Sequence, residues 1–166
     1  MLNSISAERI RDEFTRILLS EPVAWGLRAL LTLGLLGQVI PELVACVGVK
    51  QPEKYHLWDV WEHSILTCAA SPPSLILRLA ALFHDIAKPL CAADGHFYGH
   101  DVVGAELAGE ILRRLCYPNV IIDGVFNLIK HHMEIRHITS PSQIRAMRRL
   151  VRDVGEENIS DLLELP

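Results

Sequence analysis

The chain has 166 residues, half of them hydrophobic, and a formal net charge of −4. That length suits one domain with a substantial core, and that composition excludes a disordered chain. The charge excludes a protein that grips nucleic acid by overall positive charge, although Arg145, Arg148, Arg149 and Arg152 form a local basic cluster.

Helical punctuation recurs along the chain and alternating strand patterns are nearly absent, which predicts an all-α fold. Ser6 is placed to cap a helix running to about Ser20, with Ile10, Phe14, Ile17 and Leu18 on one face. Pro22 suits the first turn of a second helix ending near Gly34, and Pro41 starts a short third one. The stretch from Leu27 to Val49 is interrupted by Arg28, Gln38, Pro41 and Glu42, so no membrane span is expected there. Lys50 to Lys54 reads as a polar connection. From Asp59 a helix should carry Trp61, Ile65 and Leu66 on its inner face until Pro72 and Pro73 break it. Ser74 should cap a strongly apolar helix from Leu75 to about Ala87, ended by Pro89. Leu90 to Gly99 is expected to be loop, followed by helices over about Val102 to Leu115 and Val120 to Met133. Ser140-Pro141-Ser142-Gln143 has the form of a capping box, starting a helix to Val154. Gly155 closes that helix, and a last one covers about Glu156 to Leu165. Trp25, Trp58 and Trp61 lie among apolar neighbours and are expected in the core.

Cys46, Cys68, Cys91 and Cys116 form no CxxC pair, which predicts buried reduced thiols and neither a disulfide frame nor a zinc knuckle. Glu8, Arg9, Arg11, Asp12 and Glu13 fill the place of an apolar signal core. A soluble, cytoplasmic protein with no membrane partner is expected.

The histidines carry the chemical signal. His63 lies on one predicted helix, and His84-Asp85 near the end of the apolar one. His96 and His100 bracket the loop and the next helix start, while His131 and His132 are adjacent at another helix end. A lone core histidine needs no explanation, but an Asp directly after one, behind Leu79-Ala80-Ala81-Leu82-Phe83, does. An uncompensated carboxylate there is costly, and a metal ion would neutralise it. Imidazole with carboxylate suits Mn, Fe, Co, Ni or Zn, in one or two ions. His56 and His137 fit no such role and are expected at the surface or as caps.

The spacing His63…His84-Asp85…His100…His132 resembles the HD superfamily of metal-dependent phosphohydrolases. Further segments resemble the C-terminal, HD-containing half of bacterial tRNA nucleotidyltransferase and poly(A) polymerase proteins. They include Ile5-Ser6-Ala7-Glu8-Arg9-Ile10, Ile40-Pro41-Glu42-Leu43, Asp59-Val60-Trp61-Glu62-His63, His96-Phe97-Tyr98-Gly99-His100 and Leu115-Cys116-Tyr117-Pro118-Asn119. The resemblance implies a single HD-type helical bundle over residues 1–166. Within it, 1–50 would be a helical neck, 51–135 the metal-site core and 136–166 the C-terminal helices.

It also implies roles. His63, His84 and Asp85 match ligands of a first metal, with Asp85 placed to bridge two ions. His100 and His132 match ligands of a second, with His131 the weaker neighbour of His132. Asp85 and Lys88 would be catalytic, Lys88 reaching a substrate phosphate, and His96 and Arg145 would contact substrate. The implied reaction is hydrolysis of a phosphoester, such as a 2',3'-cyclic nucleotide or nucleotide monophosphate, by metal-activated water. The alternative is a body domain that binds RNA and metal without turnover. Two departures stand out. The paired aspartates of a nucleotidyltransferase sheet are absent, so this chain alone is not expected to add nucleotides. The family also places a final Asp just after a segment like Leu162-Leu163-Glu164-Leu165, where this sequence stops at Pro166, so either the sequence is cut short there or the first site lacks that ligand.

Overall fold

The run Leu75-Ile76-Leu77-Arg78-Leu79-Ala80-Ala81-Leu82-Phe83 has no polar face to offer water, so its helix belongs in the centre of a bundle. The computed structural model, which describes residues 5–51, 57–94, 96–136, 138 and 141–165, places it there. In chain order the helices are α1 (Ala7–Leu19), α2 (Val23–Thr32), α3 (Leu36–Val39), α4 (Pro41–Val44), α5 (Val60–Ala70) and α6 (Leu75–Phe83). After them come α7 (His100–Arg114), α8 (Asn119–Arg136), α9 (Ile144–Val154) and α10 (Glu156–Glu164). Every residue of α6 from Leu77 to Phe83 is buried. The helix packs against α1 on one side and α5, α7 and α8 on others, while α9 and α10 cover α8. The fold is all-α, as its sequence periodicity predicts.

Local chemistry sets the helix starts that matter for the site. Ser6 accepts from the Arg9 amide and starts α1. Asp59 uses both carboxylate oxygens: Oδ1 accepts from the Glu62 amide at 2.7 Å, and Oδ2 accepts from the Gly48 amide at 2.7 Å. One side chain thus caps α5 and ties it to the end of the α4 segment. Gly99, at φ 74°, takes a left-handed conformation that a side chain would resist, and the chain enters α7 at His100 from it.

Several expectations need correction. The helix expected to reach Ala87 stops at Phe83. Beyond it the backbone closes in three-residue turns, Ile86 N–H to Phe83 O at 3.0 Å and Lys88 N–H to Asp85 O at 3.0 Å. Pro89 brings no amide to extend the ladder and crowds the residue before it. Ser74 precedes α6 but makes no side-chain cap bond. A one-turn helix, α3, lies ahead of the Pro41 helix, and α7 starts at His100, ahead of Val102. The expected loop holds a minimal antiparallel hairpin, β1 (Ala92–Ala93) with β2 (His96–Phe97). On α5 the inner face belongs to Trp61, Ser64, Ile65, Thr67 and Cys68, and Leu66 is exposed, because the helix turns 100° per residue and Leu66 follows Ile65 off that face. Of the three tryptophans only Trp61 is in the core. Trp25 is 72 % exposed and Trp58 53 %, because among the described residues no element is packed over either ring. All four cysteines are free, but only Cys46 and Cys68 are buried; Cys91 is half-buried and Cys116 exposed. Ser140, the capping residue proposed for α9, and His56 and His137 lie outside the described residues. Gln143 ends a 3-10 turn, Pro141–Gln143, that leads into α9. No helix among the described residues is long and apolar enough to cross a membrane.

One buried charge organises the N-terminal half. Arg78, the fourth residue of α6, is among the largest fully buried side chains. Its guanidinium donates to Leu18 O at 2.5 Å, Ser20 O at 3.1 Å and Ser71 O at 3.4 Å, and pairs with Glu21. Those carbonyls belong to the ends of α1 and α5, where no helical amide remains to satisfy them. Arg78→Leu is therefore expected to lower unfolding free energy by about 2–4 kcal/mol, because several buried acceptors lose their donor. Urea unfolding followed by circular dichroism measures this, and a midpoint unchanged from the parent protein contradicts it.

Candidate metal centre

Four helices converge on one carboxylate. Asp85 lies in the turn directly after α6, 2 % exposed, with His84 beside it. α5 brings His63, the start of α7 brings His100, and the late part of α8 brings His132. His84 Nε2 stands 3.1 Å from Asp85 Oδ2, and His63 Nε2 stands 3.6 Å from the same oxygen. His100 Nε2 lies 3.4 Å from Asp85 Oδ1 on the other side. The ligand atoms form two triads that share Asp85: His63, His84 and Asp85, and Asp85, His100 and His132. In each triad the atoms lie within 4.8 Å of one another.

The backbone decides which ring nitrogen faces inward. Nδ1 of His84 is 2.8 Å from Ala81 O, Nδ1 of His100 is 2.6 Å from Phe97 O, and Nδ1 of His132 is 2.6 Å from Ile129 O. A carbonyl only accepts, so each Nδ1 carries the proton. In the neutral ring the Nε2 lone pair is then left pointing into the cluster, the tautomer that metal-ligating histidines adopt. Burial, followed by repulsion from His84, drops the pKa of His132 to about 3, so its ring is neutral. The Nε2 atoms of His63 and His84 face each other at 3.1 Å, a repulsive approach unless a proton or cation stands between them. His100 Nε2 is buried with no hydrogen-bond partner among the described residues, since its approach to Asp85 lacks hydrogen-bond alignment. In their neutral form these rings offer lone pairs beside a buried carboxylate, an arrangement that fits a divalent metal, and the donor set is the nitrogen and oxygen mix that first-row transition metals take.

Asp85 is ionised. Burial by itself would push its pKa up, but His84, His100 and Lys88 together outweigh burial and hold it well below the usual carboxylate range. Lys88, buried on the next turn, donates to Asp85 Oδ2 at 2.7 Å and lies 5.4 Å from the centre of the Phe97 ring. It also donates to Gln51 Oε1 at 2.5 Å.

The structure thus brings together His63, His84, Asp85, Lys88, His100 and His132. It leaves three candidates apart from both triads. His131 turns to Glu134, with Nδ1 and Oε1 2.8 Å apart. His96 is exposed and stacks on Tyr98 with ring centres 5.2 Å apart, while its strand neighbour Phe97 is the residue that meets Lys88. Arg145 is exposed on α9. Asp153 pairs with Arg149 and Arg152 on the surface, and neither it nor Asp161 joins a triad. Gln51 is the site residue that sequence reasoning missed. A glutamine in a polar connection carries no periodicity and no motif, so nothing in the sequence singles it out.

Residues 54–163 match the HD domain family, and the chain belongs to it. Residues 1–46 match a second family, described as a probable RNA- and SrmB-binding site of polymerase A. The chain is 39 % identical over 153 residues to the CC-adding tRNA nucleotidyltransferase of Thermus thermophilus, covering 86 % of this chain and 34 % of that protein. It is 37 % identical over 169 residues to the A-adding tRNA nucleotidyltransferase of Deinococcus radiodurans, covering 95 % and 38 %. A multifunctional CCA protein of an Azoarcus species is 36 % identical over 123 residues, covering 70 % and 30 %. The chain therefore spans about a third of the length of these relatives.

The shared carboxylate makes a sharp expectation. The protein should bind Mn2+, Co2+ or Ni2+, and Asp85→Ala should reduce bound metal to background while the helical circular dichroism persists. Elemental analysis after gel filtration reads the stoichiometry, and equal metal content in the two proteins would sink the assignment of the cluster as the binding site.

Proposed function

We propose that this chain is a metal-dependent phosphohydrolase whose substrates are small phosphoesters of the 2',3'-cyclic nucleotide or nucleotide monophosphate class. The observation that carries the reading is the convergence of His63, His84, His100 and His132 on the buried, ionised Asp85 with the Lys88 ammonium alongside. In this reading residues 51–135 form the catalytic core, 1–50 a helical neck and 136–166 a covering pair of helices.

His63, His84 and Asp85 would hold one ion and Asp85, His100 and His132 another. Divalent ions there would supply a water of lowered pKa and neutralise phosphate charge. The chain's own residues do the rest. The i−3 carbonyl bonds fix three of the rings before any ligand arrives, so little reorganisation is needed on binding. Asp85 places one oxygen toward His63 and His84 and the other toward His100, which ties the two triads at a fixed distance. Lys88 keeps one donor for a phosphate oxygen after serving Asp85 and Gln51, since an ammonium has three. A protein nucleophile is not required. The nearby thiol of Cys46 is held protonated, its pKa raised to about 12 by burial and then by the Asp85 charge. His96 and Arg145, both exposed, would act only on parts of a substrate that extend beyond the His/Asp cluster.

With added Mn2+ or Ni2+ the protein is expected to hydrolyse bis-p-nitrophenyl phosphate or a 2',3'-cyclic nucleotide. Asp85→Ala should lower kcat/KM by about 1000-fold or more, on the order of what removing a principal electrostatic group costs. Turnover that survives Asp85→Ala in full would point away from this site.

A second reading rests on a separate feature. Arg145, Arg148, Arg149 and Arg152 fall on one side of α9 and are all exposed, although Asp153 partly neutralises two of them. With the RNA-binding family match at residues 1–46 and the tRNA-processing names of the relatives, this supports an RNA-binding role for the chain. If α9 contacts RNA phosphates, Arg145→Ala with Arg148→Ala should weaken tRNA binding about tenfold at low salt and flatten its salt dependence. A filter-binding or anisotropy titration across salt concentrations measures both, and an identical salt slope would remove α9 from the interface.

A further inference from the structure

Lys88 is a buried cation at the edge of a proposed cation site, and that sets up a conflict. Its ammonium donates to Asp85 Oδ2 at 2.7 Å, the same oxygen that His63 and His84 approach. Left to itself a buried ammonium closes fully on the nearest carboxylate, because the attraction is strong where water is scarce. An ammonium so placed competes with any metal for that oxygen.

Gln51 gives the same ammonium a second acceptor. It sits in the segment between α4 and α5 and is only 7 % exposed. Its Oε1 accepts from Lys88 Nζ at 2.5 Å, a closer approach than that of Asp85, and its Nε2 donates to Trp58 O at 3.4 Å. The backbone bond thereby holds the amide the right way round, with oxygen toward the lysine. The Phe97 ring bounds the ammonium on a further side, 5.4 Å away. An amide oxygen can share an ammonium without cancelling its charge; a carboxylate cannot. An apolar side chain could not share it at all.

We propose that Gln51 is a positioning residue that divides the Lys88 ammonium between itself and Asp85, and so keeps Asp85 Oδ2 available to a divalent metal. The inference rests on the metal-centre reading above and deepens it, because it names what sets metal affinity there. Two substitutions at this position act in opposite directions. Gln51→Met keeps the length and removes the acceptor, so Lys88 is left with Asp85 alone, holds Oδ2 more strongly, and metal binding weakens. Gln51→Glu offers the lysine a second carboxylate, so Lys88 is drawn off Asp85 and metal binding tightens. Both effects pass through Lys88.

The test is Mn2+ binding to the full chain, stripped of metal, by isothermal titration calorimetry, with folding checked by circular dichroism. No substrate turnover is involved. In the parent protein Gln51→Met should weaken Mn2+ binding on the order of threefold to tenfold, the size of coupling that residues in contact show. In a Lys88→Met background the same change should leave the affinity within about twofold, the ordinary additivity error between independent sites. Gln51→Glu should tighten binding in the parent protein. An affinity unmoved by Gln51→Met, an equal loss in both backgrounds, or weakening by Gln51→Glu overturns the proposal while the metal centre stands. Absence of Mn2+ binding by the unaltered protein overturns the metal-centre reading and this inference with it.

Discussion

A carboxylate remains ionised inside a helical core only when positive or donating groups surround it, and the packing of four helices here satisfies that condition for Asp85. The side chain is almost wholly buried, yet its pKa is held low by His84, His100 and Lys88 together. α5, α7 and α8 each deliver one ring to it, and α6 delivers the residue itself at its end. The mutual arrangement of those helices is thus constrained at their tips as well as along their apolar faces. Hydrophobic packing alone tolerates small slides between helices; a cluster of nitrogens within 4.8 Å of an oxygen does not.

A second internal charge does the corresponding task for the N-terminal helices. Arg78 stands on α6 and gathers the carbonyls that end α1 and α5, so the N-terminal helices are referenced to the same rod that ends in His84 and Asp85. Surface ion pairs add lesser ties, Arg28 with Glu62 between α2 and α5, and Arg114 with Glu42 at 2.7 Å between α7 and α4. Those exposed pairs contribute little individually. The buried arginine differs because several acceptors would be stranded without it.

Much of this was legible in the sequence, for identifiable reasons. Helices with a polar face and a capping residue, such as α1 behind Ser6 and α5 behind Asp59, announce themselves through period and cap together. The His84-Asp85 pair stood out because an acidic residue behind an apolar run contradicts its surroundings. The end of α6 was missed because His84 to Ala87 continues the apolar pattern while the backbone has already left the helix, and periodicity does not register hydrogen bonds. Trp25 and Trp58 were misplaced because neighbours in sequence say nothing about which tertiary surface is left uncovered. His131 and His132 could not be separated by spacing alone; one helical residue, 100° around α8, turns one ring to Glu134 and the other to the cluster. Gln51 acts through a contact with a residue far along the chain, and no local signal encodes that.

The carbonyl bonds to His84, His100 and His132 have a consequence for how such a centre is inherited. In each case the acceptor is the backbone three residues earlier, at Ala81, Phe97 and Ile129. The orientation of the ring, and the place of its Nδ1 proton, are then set by a four-residue piece of chain. Any sequence that bends the backbone the same way and ends the piece in histidine reproduces the ligand. Side chains beside such a piece can change while the ring keeps its direction, as long as the main chain beneath it keeps its course. The centre is modular at the level of the turn: its parts are portable, and what a change of substrate would have to rewrite lies outside them.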